Sequence, residues 1–146
     1  MQVDKNQQNN RQEFYSHFDF KEPFFKDNKL NLVWVSSEAE RFSKHIAQSH
    51  KEDYQEKVMT TTALRNFYNE MLRIRDLGVD SKDEQLALIR LLIAKVKYKQ
   101  KQQGSKIPQD FVEFMNRLVS EVKDDINRFN QACLIMEAIV GYNPKK

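Results

Sequence analysis

The stretch Ser81-Lys82-Asp83-Glu84-Gln85-Leu86-Ala87-Leu88-Ile89-Arg90-Leu91-Leu92-Ile93-Ala94-Lys95-Val96-Lys97-Tyr98-Lys99-Gln100 decides the fold class. Ser81-x-x-Glu84 has the form of a capping box, in which each side chain satisfies an orphan amide of the first helical turn. Leu86, Ile89, Leu92, Ile93 and Val96 then recur at spacings of three and four, the period of one helix face. No glycine or proline interrupts the run before Gly104, so the spacing predicts a long helix to about Gln103.

Similar signals flank it on both sides. Ser37-x-x-Glu40 is a second capping box, ahead of a helix that turns Ala39, Phe42 and Ile46 inward. Thr60-Thr61-Thr62 supplies an N-cap for a helix carrying Leu64, Phe67, Met71 and Ile74, widened by Tyr68 and Leu72 and ended by Gly78. Lys51 to Met59 between them is polar and reads as a loop or frayed turn. Pro108 marks the start of a helix with Phe111, Phe114, Met115, Leu118 and Val122. Lys123-Asp124-Asp125 separates or bends it from a last helix with Ile126, Phe129, Cys133, Met136, Ile139 and Val140, which stops at Gly141.

The expected fold is therefore all-α, a compact bundle of about five helices. Only 3 Gly and 3 Pro among 146 residues support this, as does the abundance of helix formers. A chain of this length forms one domain and buries ~68–70% of its unfolded surface. Residues 36–146 read as the helical-bundle domain. Residues 1–35 read as a polar tail followed by an aromatic segment, poorly ordered or docked. Seven of the first twelve residues are Gln or Asn, with little to bury. Phe14 to Val35 pairs aromatics around Pro23 and ends in the alternating Leu30-Asn31-Leu32-Val33-Trp34-Val35. That segment either presses on the bundle as an extended or short-strand piece, or docks on a partner.

Several chemistries lack their residues. The single Cys133 forms no intramolecular disulfide and, among Ala132, Leu134, Ile135 and Met136, reads as a buried inert thiol. Three isolated glycines build no phosphate loop. His45 and His50 are five apart, off the shared helical face of a metal pair, so neither metal nor cofactor is expected. No apolar run nears the ~18 residues of a membrane span, and the N-terminus lacks a signal-peptide core, so a cytoplasmic protein is expected. No catalytic constellation stands out. The nearest is Arg11 with His17, at the loose spacing of HEPN-type helical ribonucleases, but placed in the polar tail.

Charge carries the functional signal. Gln85 to Gln109 contains Arg90, Lys95, Lys97, Lys99, Lys101 and Lys106 and no acidic residue. Removing these six cations from the formal net charge of +3 leaves −3 on the rest of the chain. At roughly 100° per residue, Arg90, Lys97 and Lys101 form one stripe beside the apolar face, and Lys95 with Lys99 forms the other. Tyr98 lies beside the second and could stack on a base or ribose. A cationic surface of this kind attracts polyanions within the ~8 Å Debye length of physiological salt. A solvated lysine face that complements the helix dipole, or a face for an acidic protein partner, is the competing reading.

Three stretches, in order, resemble the small subunit of type III-A CRISPR effector (Csm) complexes. Thr60-Thr61-Thr62-Ala63-Leu64-Arg65 resembles that family's Thr-Thr-x-x-(Leu/Ile)-Arg helix opening. Lys95-Val96-Lys97-Tyr98 resembles its Lys-aromatic-x-Tyr stretch, and Glu137-Ala138-Ile139-Val140-Gly141-Tyr142 its C-terminal Glu-Ala-(Leu/Ile)-Val-Ala-Tyr signature. After Tyr98 the family's Ala-Gly-Arg is replaced by Gln100-Lys101-Gln102, which makes Lys99 and Lys101 candidates for the arginine's contact.

The resemblance, from Thr60 to Tyr142, implies a non-catalytic, all-α protein in antiviral defence. Its copies would line the effector beside each other and the backbone subunits, contacting guide RNA and target RNA; whether the isolated protein forms a homodimer stays open. It adds Arg65 to the candidate RNA contacts, so the set is Arg65, Arg90, Lys95, Lys97, Tyr98, Lys99, Lys101 and Lys106. Arg65 and Glu137 have a structural alternative, pairing with each other across the bundle, and Tyr142 one as a core plug at a helix end.

Overall fold

The computed structural model describes residues 17–48 and 58–144. The tail Met1–Gln12, with Arg11, and most of the polar loop before Met59 lie outside the described residues. Among the described residues five α-helices make up the bundle, as the periodicity predicts: α1 (Ser37–Ile46), α2 (Thr61–Arg75), α3 (Lys82–Lys101), α4 (Gln109–Val122) and α5 (Ile126–Tyr142). A hairpin of two very short strands, β1 (Phe25–Lys26) and β2 (Lys29–Leu30), precedes them. It pairs Phe25 with Leu30 antiparallel, and Asp27 and Asn28 at positive φ make the tight turn.

The helix faces fall where the spacing puts them. Leu64, Phe67, Met71 and Ile74 of α2 are buried, as are Phe111, Phe114, Met115, Leu118 and Val122 of α4. The helix α5 lies at the centre of the packing, touching α1, α2 and α4, while α3 rests on α4. Thr60 caps α2 by accepting from the Ala63 amide at 3.1 Å. Asp125 caps α5 by accepting from Asn127 N at 2.9 Å. Lys123 and Asp124, both left-handed (φ 54° and 56°), reverse the chain between α4 and α5.

Neither capping box forms. Ser36, not Ser37, is the N-cap of α1, and its hydroxyl donates to Leu32 O at 2.8 Å. A 3₁₀ turn runs directly into each helix, Leu32–Val35 into α1 and Val79–Ser81 into α3, and this entry takes the place of a side-chain cap. Gly78 does not terminate α2 in the left-handed conformation, since its φ is −67°. The exposed carbonyls at that end are met by the buried Gln85, whose side chain donates to Ile74 O at 2.9 Å and Arg75 O at 3.2 Å.

Phe14 and Tyr15 lie outside the described residues; from Phe18 on, the aromatic segment is built into the core. Phe18, Phe24, Phe25 and Trp34 are buried, and Trp34 sits between Phe24 and Phe42 with ring centroids 4.6 and 6.2 Å away. Phe42 in turn stacks on Phe114 of α4 at 4.7 Å. Polar ties hold the segment in place. Trp34 Nε1 donates to Glu22 O at 2.9 Å, and Glu121 of α4 accepts from the Phe24 and Phe25 amides at 3.0 and 3.3 Å. Asp110, at the start of α4, accepts from Phe18 N at 3.0 Å and lies 2.6 Å from His45 Nε2 and 3.3 Å from His17 Nδ1.

Met59, expected in the polar loop, is fully buried, its amide donating to Ile46 O at 2.8 Å. Cys133 is buried, and burial pushes its thiol up to about 12, which leaves it protonated and inert at neutral pH. No helix of the described residues is long and apolar enough to cross a membrane.

Candidate nucleic-acid interface

The long helix α3 buries Gln85, Ile89, Leu92 and Val96 against the bundle. Its outward half carries the candidate contacts, and the fold sorts them into three groups. Arg90 is committed to Asp124, in the reversal between α4 and α5. Its Nε donates to Oδ1 at 3.0 Å and its Nη2 to Oδ2, and these hydrogen bonds hold the Asp124 carboxyl below its usual range.

Lys95, half-buried, is the second group. Its Nζ lies 2.6 Å from Glu70 Oε1 on α2, and Arg73 grips the same carboxylate at 2.8 Å. Hydrogen bonds from Arg73 and then Lys95 bring the Glu70 carboxyl down to about 2, so it is ionised at every physiological pH. The acid-free window of the sequence thus acquires acids from α2 and from the α4–α5 reversal.

Lys97, Lys99, Lys101 and Lys106 form the third group. All four are exposed and make no ion pair among the described residues. Three of them occupy the last turn and a half of α3, where cations oppose the negative end of the helix dipole. Tyr98 stands among them, 67% exposed. The chain then turns through Gly104 (φ 79°) toward Pro108, which brings Lys101 and Lys106 to the rim of one shallow concavity of about 630 Å³.

A larger groove of about 760 Å³ lies between α2 and α3, two helices that meet sparingly. From α3 it receives Lys95, Tyr98 and Lys99, and from α2 it receives Asn66, Asn69 and Arg73 over a floor that includes Phe67. The α2 contribution was absent from the sequence-based set. Residues 66, 69, 70 and 73 share one helix face, a legible spacing, but no local signal says that this face looks onto the lysines.

Arg65 is exposed in the second turn of α2. It does not pair with Glu137, which instead accepts from the Tyr68 hydroxyl at 3.0 Å. Tyr142 is no core plug: it is 40% exposed in the last turn of α5, in an apolar hollow beside Leu32 and Leu134. His17, the described half of the ribonuclease-like pair, contacts Asp110. Among the described residues no group of three or more His, Cys, Asp or Glu is arranged to hold a metal ion.

Residues 36–144 match the family described as Csm2 Type III-A, a span that begins at the cap of α1 and takes in all five helices and both concavities. No curated protein and no solved structure matches the chain. The family match covers the three motif stretches and extends the likeness upstream through α1. An all-α bundle, a lysine-rich third helix and this match lead to one assignment: the chain belongs to the Csm2 Type III-A family, the small subunit of type III-A CRISPR effector (Csm) complexes.

Proposed function

We propose that this small subunit is a non-catalytic support for RNA, contacting the guide RNA–target RNA duplex inside its Csm complex through the C-terminal half of α3. The observation that carries the reading is that Lys97, Lys99, Lys101 and Lys106 are exposed without ion pairs among the described residues, while Arg90 and Lys95 are held by acids. Unpaired lysines at helical spacing reach phosphates about 6 Å apart without reading bases, and the guide already specifies sequence by pairing. Arg65, on the neighbouring helix, adds a further exposed cation. Neighbouring copies and backbone subunits would complete the surface.

Replacing Lys97, Lys99, Lys101 and Lys106 together with Ala in the assembled complex tests this. RNA affinity should fall, and the salt dependence should flatten by up to ~0.7–0.9 log units per lost phosphate contact. Unchanged RNA binding would remove α3 from the interface. Salt-sensitive assembly with an acidic subunit that survives nuclease would instead assign the lysines to a protein partner.

A further inference from the structure

We propose that the groove between α2 and α3 is a nucleotide site, receiving one unpaired RNA base on the ring of Tyr98 with its phosphate at Lys99. The inference rests on the RNA-contacting reading above. It adds a bound base, where that reading needs phosphates alone.

Size and floor come first. At about 760 Å³ the groove falls within the ~300–1,000 Å³ of small-molecule sites. Ala63 and Ala94 line the groove over the buried Phe67, which gives an apolar surface for a flat ring. Tyr98 stands at the wall, two-thirds exposed, and among the described residues no other ring packs on it. An exposed tyrosine face beside cations suits a base, because stacking depends on the π-face every base carries.

Edge chemistry comes second. Asn66 and Asn69 stand one turn apart on α2, and neither side-chain amide has a hydrogen-bond partner among the described residues. Each amide offers donors and an acceptor, the pair of functions that an unpaired base edge complements. Paired bases hide those edges and faces, so the ligand is a base outside the duplex.

Charge comes third. Arg73, Lys95 and Lys99 face a single acid, Glu70, and leave the wall with two cations in excess. Glu70 orients Arg73 and Lys95, whereas Lys99 has no ion pair and is the first cation a phosphate meets. An apolar helix docked here would bury that excess charge unpaired, which is costly. An acidic peptide would leave the ring and amides unused.

The test is a titration of the ¹⁵N-labelled full chain with adenosine 5′-monophosphate, in parallel with ribose 5-phosphate, which keeps the phosphate and lacks the base. The nucleotide should saturably shift the resonances of Asn66, Asn69, Tyr98 and Lys99, including the asparagine side-chain amides. It should bind at least about five-fold more tightly than the sugar phosphate, the lower end of one stacking contact. Tyr98→Ala should erase that preference. So should Ala94→Trp, which fills the groove and removes no charge, with the unperturbed remainder of each spectrum reporting that the fold is intact. Equal responses to the two ligands would show an anion site only and overturn the base. Absence of groove shifts at saturating nucleotide overturns it as well. The same holds if groove resonances respond only to another protein subunit. In each case the lysine substitutions in the assembled complex still decide the RNA reading separately.

Discussion

Lys95 Nζ lies 2.6 Å from Glu70 Oε1, a carboxylate contributed by the neighbouring helix 25 residues earlier. This contact divides the basic run of α3 into cations spent inside the protein and cations left for a partner. Removing the acid should therefore strengthen RNA binding. Glu70→Gln frees Lys95 and Arg73 and should steepen the log–log salt dependence by about 0.7 per phosphate gained on a single strand. Fluorescence anisotropy over a salt series measures it. A flatter slope would mean that Glu70 positions the cations for RNA.

The Arg90–Asp124 pair makes the converse prediction. Arg90→Ala should leave the salt slope unchanged, because its guanidinium is already occupied by a carboxylate. Asp124→Asn should raise RNA affinity modestly. Both partners are largely exposed, so either change should leave the midpoint of denaturant unfolding nearly unmoved.

Asp110 should make the fold sensitive to acid. Burial alone would raise its pKa, but hydrogen bonds from His45 and the Phe18 amide, with the nearby His17, outweigh it and hold the carboxyl below its ordinary 3.8. A group with a depressed folded pKa stabilises above its ordinary value, and that contribution is lost as pH falls through the folded one. Asp110→Asn should cost about 1–3 kcal/mol at pH 7 and shrink the stability lost between pH 5 and 3. Urea unfolding of both proteins across that range measures the difference. Parallel acid profiles would remove Asp110 from the acid response.

The aromatic segment should prove inseparable from the bundle. Trp34→Ala should cost about 3–5 kcal/mol, as for a fully buried large side chain. A fragment of residues 36–146 would expose Phe42 and Phe114, and should lose its cooperative thermal transition in calorimetry. A fragment that melts cooperatively near the full-length midpoint would show that helices alone complete the core.

Much of the bundle was legible in the chain because helix faces are a local property. Leu64, Phe67, Met71 and Ile74 sit three and four apart, and any packing of α2 must cover them together. Thr60 was readable as a cap for the same reason, since it bonds an amide three residues away. The two Ser-x-x-Glu boxes misled because a 3₁₀ turn precedes each helix, and the conformation of that turn depends on what packs on it. Gly78 misled because a distant glutamine, Gln85, meets the carbonyls that a left-handed glycine would otherwise serve.

For function, the sequence by itself determined the lysine run, the helix that carries it and the motif order that indicates the family. These depend on spacing along one chain. Only the tertiary structure decided which of the cations are occupied. Glu70 and Asp124 reach Lys95 and Arg90 from α2 and from the α4–α5 reversal, and coulombic pairing follows distance in space, whatever the separation in sequence. The same packing opened a groove beside Tyr98 and lined its far wall with asparagines from another helix.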